Sequence, residues 1–213
     1  MIRLGRVAAM ALSLAAAPLR AADTGQVWLT ASATKAFGAR TSLQFEATQR
    51  WRPDSAAGNQ RPVRLLIDRK IGGGFRLGGG IAGFDTDRGP FELRLHQQLS
   101  LSRGIFRART RLEQRFIDDA ARAGWRMRQR VGVDIPLDDR AWSVNTHSEL
   151  FLTLRDADRG GPTGLTQMRA TIAVERQLGK VTVSAGYLYQ HMIVPDGRDR
   201  IAWIPQLGVG FSL

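Results

Sequence analysis

From Asp23 onward, apolar and polar side chains alternate with a period of two. In Phe91–Leu101 the residues Phe91, Leu93, Leu95, Leu99 and Leu101 fall on one face, and Glu92, Arg94, His96, Gln98 and Ser100 on the other. In Ile105–Ile117 the residues Phe106, Ala108, Thr110, Leu112 and Phe116 oppose Arg107, Arg109, Arg111, Glu113 and Arg115. Trp125–Leu137 repeats the scheme, with Trp125, Met127, Val131, Val133, Ile135 and Leu137 set against Arg126, Arg128, Arg130 and Asp134. A period of 3.6 cannot sort these residues into two classes, so the segments read as strands. Weaker alternation marks Val27–Phe37, Thr41–Trp51, Pro62–Ile71, Phe75–Phe84, Ala141–Leu154, Thr166–Gln177, Val181–Met192 and Ile201–Leu213. These segments are about twice as long as strands of soluble proteins, which run roughly five or six residues. They match the length of about 9–11 needed by a strand tilted across a bilayer.

The connections also alternate. Short turns fall around Phe37–Arg40, Gly72–Gly74, Ser102–Gly104, Asp138–Arg140 and Leu178–Lys180. Longer polar loops lie between them at Pro53–Arg61, Asp85–Gly89, Asp118–Gly124, Asp156–Gly164 and Pro195–Asp199. Short turns at one rim and longer loops at the other are the plan of an outer-membrane barrel. The expected fold is therefore all-β, a single up-and-down antiparallel transmembrane β-barrel of about 10–12 strands. An even strand number is the rule for such single chains, so ten or twelve strands are expected. Either Val27–Phe37 would lie partly outside the wall, or one segment would be two strands.

Before Asp23 the pattern is different. Arg3 and Arg6 precede an apolar run from Val7 to Ala17, then Pro18 and small residues, which is the layout of a cleavable export signal over 1–21. The run is too short to span a bilayer. The rest of the chain, 22–213, reads as one domain bound for the bacterial outer membrane. The sequence has no cysteine, which excludes disulfides, thiol catalysis and an acyl anchor on a lipobox cysteine.

The formal net charge of +12 and pI near 11.5 would ordinarily suggest nucleic acid. Here the arginines alternate with lipid-type residues instead of forming a solvated stripe, so nucleic acid is not an expected partner. In a membrane barrel the polar face turns into the bore. The bore would then hold a cross-strand network built from Glu46, Arg94, Arg109, Arg111, Glu113, Arg115, Arg126, Arg128, Arg130, Glu149, Arg169 and Glu175, with Arg50, Arg64, Lys70, Arg76, Arg107, Asp68, Glu92 and Asp134 on the same face. Cations outnumber acids, so an open bore would favour anions. Aromatics near segment ends (Trp51, Phe91, Phe106, Phe116, Trp125, Trp142 and Trp203) suit interfacial girdles.

RTRLEQRF from Arg109 to Phe116, RMRQR from Arg126 to Arg130 leading to Ile135-Pro136-Leu137, Glu149-Leu150-Phe151, and GYLYQ from Gly186 to Gln190 together resemble the DUF2490 family. An E-x-R element one strand earlier appears as Glu92-Leu93-Arg94. That family comprises proteobacterial proteins of unknown function regarded as outer-membrane barrels. The resemblance implies location and fold, and it carries no catalytic residues.

Candidate chemistry is sparse. His147-Ser148-Glu149 invites comparison with a Ser–His hydrolase, but neighbouring strand residues point to opposite faces, so His147 and Ser148 diverge. Ser100 and Ser184 lie on other strands, and nothing selects them. Glu113 with Glu149 or Glu92 could form an acid/base pair, yet the surrounding arginines favour salt bridges. No histidine or carboxylate spacing suits a metal, and the glycine runs Gly72–Gly74 and Gly78–Gly80 lack the helix and lysine of a phosphate loop. No cofactor is expected. The leading expectation is a non-enzymatic outer-membrane barrel, either a scaffold or a narrow porin-like channel. A barrel enzyme acting on lipid or lipopolysaccharide is the alternative, and an exported soluble barrel holding an apolar ligand is a third. Expected partners are outer-membrane lipid, the barrel-assembly machinery during insertion, and small anionic solutes if the bore is open.

Overall fold

The computed structural model describes residues 25–137, 141–195 and 197–213. The expected export signal at 1–21 and the turn at 138–140 lie outside the described residues. Eleven strands follow one another: β1 (Val27–Phe37), β2 (Thr41–Trp51), β3 (Gln60–Gly72), β4 (Phe75–Thr86), β5 (Glu92–Arg103), β6 (Phe106–Ile117), β7 (Gly124–Pro136), β8 (Trp142–Arg155), β9 (Gly164–Leu178), β10 (Val181–Met192) and β11 (Arg200–Ser212). Among the described residues there is no helix.

Consecutive strands pair antiparallel, and the sheet closes on itself through β1 and β11. The expectation of ten or twelve strands is corrected here. No segment leaves the wall and none divides. An odd number of alternating strands sends the first and last in the same direction, so the closing seam must be parallel. It runs in register from Trp28↔Gln206 to Thr34↔Ser212. The tight turns need backbone that only glycine adopts freely, and Gly38, Gly73, Gly74, Gly104 and Gly179 all have positive φ there.

The two faces separate as the alternation requires. Leu65, Ile67, Leu77, Leu95, Leu99, Val131, Leu150, Leu154 and Leu207 are exposed on the outer wall, while Arg111 is 2% exposed, Glu113 2% and Glu149 1%. An apolar exterior around a charged interior rules out the soluble barrel with an apolar centre. Most exposed aromatics collect toward the ends of the strands, with Phe45 and Tyr187 at mid-strand. Trp51, Phe91, Phe116 and Trp203 lie toward the longer-loop rim, and Phe37, Phe75, Phe106, Trp142 and Phe211 toward the short-turn rim.

Alternation has exceptions inside. Trp28, Leu66, Ala82, Phe84, Phe151, Leu188, Ala202 and Ile204 are apolar and buried. Trp28, Leu188, Ala202 and Ile204 pack together, a small dry cluster beside the seam. Opposite it, β4 passes close to its neighbours at Gly80, where a Cβ would overlap the Leu65 carbonyl oxygen and press on the His96 ring. Overpacking of this kind typically costs about 1–3 kcal/mol. Gly80→Ala should therefore lower the temperature at which the folded form converts to the unfolded form on heat-modifiable gel migration. An unchanged temperature would show that this close approach is not required.

Candidate functional site: an arginine-filled bore

The bore is asymmetric because the inward residues of its two halves differ in size. On β5–β8 they are mainly arginine, glutamate and glutamine; on β1 and β9–β11 they include Thr30, Ser32, Thr171, Ala173, Thr182, Ser184, Gly186, Gly208 and Gly210. Long side chains fill the first half and leave space beside the second.

The strand registers place like charges directly opposite one another: Arg94 against Arg115, Arg109 against Arg130, and Arg111 against Arg128. Such pairs repel unless an anion lies between them. Three glutamates take that position. Glu92 accepts from Arg94 Nε at 2.8 Å and Nη2 at 2.6 Å, and also from Arg115 Nε. Glu113 accepts from Arg126 Nε at 3.0 Å and Arg128 Nη1 at 2.8 Å. Glu149 accepts from Arg109 at 2.7 Å, Arg128 at 2.8 Å and Arg130 at 3.2 Å. Arg128 thus links Glu113 to Glu149. Arg111 donates to Gln98 Oε1 at 2.6 Å through Nη2, and the Gln98 amide donates to Asp68 at 3.1 Å. The result is three hydrogen-bonded groups side by side across β3 and β5–β8, with Arg111 Nη1 4.0 Å from Glu113 between two of them. Separate ion pairs join Arg64 to Glu46 at 2.7 Å and Arg107 to Asp134 at 2.7 Å.

Besides Glu46, which pairs only with Arg64, two residues of the expected network stand apart from it. Arg169 lies directly opposite Glu149 in the β8–β9 register, yet Glu149 is already held by three guanidiniums. Arg169 instead donates through Nε to Gln190 at 3.1 Å and stacks near Phe151 and Trp28, 4.9 and 5.2 Å from the ring centroids. Glu175 lines the cavity toward the short-turn rim without an ion pair among the described residues. Lys70 and Arg76 lie near the short-turn ends of their strands, Lys70 exposed and Arg76 half-buried.

The aromatic shelf is the part of the site that the sequence did not single out. Arg50 sits over Trp28 at 4.0 Å, Arg94 over Phe84 at 3.6 Å, and Arg128 over Phe151 at 4.5 Å. Cation–π stacking of this kind stiffens the guanidiniums while leaving their N–H edges free to bind. The available signal was phase. Trp28 is in step with Thr30, Ser32 and Thr34, and Phe151 with His147 and Glu149, so both are aromatics on the polar face.

Two cavities occupy the bore. One, of about 490 Å³, opens along the small-residue half toward the short turns. The other, of about 790 Å³, lies on the longer-loop side. Trp28, Arg50, Arg64, Arg128 and Arg169 line both, so these side chains form the partition. Ser148 is exposed on the outer wall, whereas His147 and Glu149 face inward. Ser100 and His147 share a recess of about 380 Å³, and Ser184 lines the larger short-turn cavity. No hydrogen bond joins any of these serines to His147 among the described residues. No group of three or more histidine or carboxylate residues among the described residues could hold a metal.

Breaking a buried ion pair by removing one partner costs about 3–5 kcal/mol, because the surviving charge is left uncompensated. Glu149→Gln strips three guanidiniums of one anion at once. It should destabilise the barrel by that order and by more than Arg130→Gln, since Arg130 is the most exposed of the three partners. Urea unfolding in micelles measures both, and equal losses would argue against a shared anchor.

Comparison with known proteins agrees with this architecture. The NanC porin superposes with a TM-score of 0.56 over 89% of this chain and 99% of its own, at 12% identity, a likeness of fold. An uncharacterized protein of Methylorubrum extorquens is 30% identical over 208 residues, covering 89% of this chain and 90% of that protein. The model of the family described as "Protein of unknown function (DUF2490)" matches residues 25–201, and the chain belongs to that family.

Proposed function

We propose that the protein is an outer-membrane channel that passes small anionic solutes through a constriction made of arginine side chains. The observation that carries this reading is the partition between the two cavities. It consists of side chains alone, four of them arginines, and the β2–β3 loop lines the longer-loop cavity without contributing to it. Side chains can move aside for a solute more readily than a folded plug.

Membrane placement is supported by strands of 11–15 residues, a mainly apolar outer wall and aromatics toward both rims. A soluble protein rarely exposes so large an apolar surface. By the usual arrangement the longer loops face the exterior and the short turns the periplasm. Anion preference follows from unequal charge at the partition. Arg64 is neutralised by Glu46, and Arg128 by Glu113 and Glu149, but Arg50 and Arg169 have no carboxylate partner among the described residues. Their field attracts anions and repels cations at the partition. No observation favours catalysis over conduction.

Planar-bilayer recording tests this reading. In a potassium chloride gradient the wild-type reversal potential should shift toward the chloride equilibrium value. Arg169→Glu should move it toward the potassium value and change the single-channel conductance. A protein shown to be folded that gives no conductance would leave only a closed scaffold.

A further inference from the structure

The longer-loop cavity is more than a positively charged mouth. Four of its arginines, Arg50, Arg52, Arg169 and Arg200, have no carboxylate partner among the described residues, and a single carboxylate, Asp54, lines the same space. Asp54 is engaged by the Gly25 amide, which donates to it at 2.8 Å. Arg50 Nε, Arg52 Nε and Arg52 Nη2 are buried donors with no hydrogen-bond partner in the described protein. Unpaired buried donors are rare and call for a ligand or water. Trp28 lies within reach of both Arg50 and Arg169, which fixes two of these cations around one ring. Each spends only part of its donor fork on a neighbouring amide, Arg50 Nη1 on Gln60 Oε1 at 2.8 Å and Arg169 Nε on Gln190 Oε1 at 3.1 Å.

We propose that this cavity contains a binding site for a phosphate-type dianion, clasped by Arg50, Arg52 and Arg169. The site rests on the channel reading, for which it supplies the substrate class. Several unpaired guanidiniums around one space match a group with two charges and several acceptor oxygens better than a halide, because each guanidinium offers a planar fork of donors. The cavity, about 790 Å³, is far larger than a bare phosphate needs. The amides of Gln167 and Gln190 line the same space and can meet hydroxyl groups. The ligand class is accordingly a small hydroxylated phosphate monoester, with its phosphate at the arginines and its body toward the glutamines.

The test is calorimetric titration of the full-length protein folded in detergent micelles, in 0.1 M potassium chloride. The probes are inorganic phosphate, glycerol 3-phosphate and glycerol, with folding checked by heat-modifiable migration. Phosphate should bind saturably over the chloride background, glycerol 3-phosphate several-fold more tightly, and glycerol not at all. Replacing two charge-assisted donors, as in Arg50→Gln with Arg169→Gln, should weaken phosphate binding at least about ten-fold. Arg176→Gln on the outer wall beside Trp142 should leave it unchanged. Unsaturable heats, or equal binding by the folded double variant, would overturn the site. Inorganic phosphate binding as tightly as glycerol 3-phosphate would overturn the assignment to a monoester. Saturable binding without bilayer conductance would keep the site and remove the channel. Anion-selective conductance without saturable binding would keep the channel and remove the site.

Discussion

A guanidinium inside a narrow barrel must find a carboxylate, and the bore is arranged around that requirement. The registers of β5–β7 put arginine opposite arginine three times, and Glu92, Glu113 and Glu149 lie where each can hold two or three of them. The arrangement ties together four adjacent strands through their side chains. It also leaves Arg169 unpaired. Once Glu149 is saturated by Arg109, Arg128 and Arg130, its cross-strand neighbour Arg169 has no anion to meet and turns to an aromatic ring. The structural network and the unpaired state of Arg169 therefore have one origin.

The distribution of residue size decides where space is left. The half of the wall built from β5–β8 is filled by long charged side chains, and the half built from β1 and β9–β11 carries threonine, serine, alanine and glycine. A barrel of this strand number has little room once long side chains fill it. The small-residue half restores some of that room, so the cavities lie beside the charge network with an arginine partition between them.

Much of this was legible in the sequence because a two-residue period reports face directly. Each alternating segment became a strand, with ends shifted by a residue or two: Trp125–Leu137 appears as Gly124–Pro136, and Phe91–Leu101 as Glu92–Arg103. The strand number was the exception. The rule of even counts predicts ten or twelve, whereas the eleven alternating segments form eleven strands that close through a parallel seam. Periodicity identified which residues face inward but could not say which pairs would meet. Arg169 and Glu175 share a face with the network and yet stand apart from it, because anion saturation and cavity position are settled across several strands. The roles of Trp28, Phe84 and Phe151 depend on the same longer-range geometry. They became visible only when Arg50, Arg94 and Arg128 were seen above their rings.

The central claim is that hydrocarbon surrounds the leucines while the arginines line the bore. Because the natural chain contains no cysteine, single cysteines can be introduced one at a time along β6 without first removing any. Nitroxide labels at successive positions from Phe106 to Phe116, with the protein in lipid bilayers, would report collision rates with oxygen and with a water-soluble nickel complex. The account predicts that oxygen access peaks at Ala108, Thr110, Leu112 and Gln114 and falls at Arg109, Arg111, Glu113 and Arg115, with a two-residue period. The opposite phase, or no period at all, would contradict it.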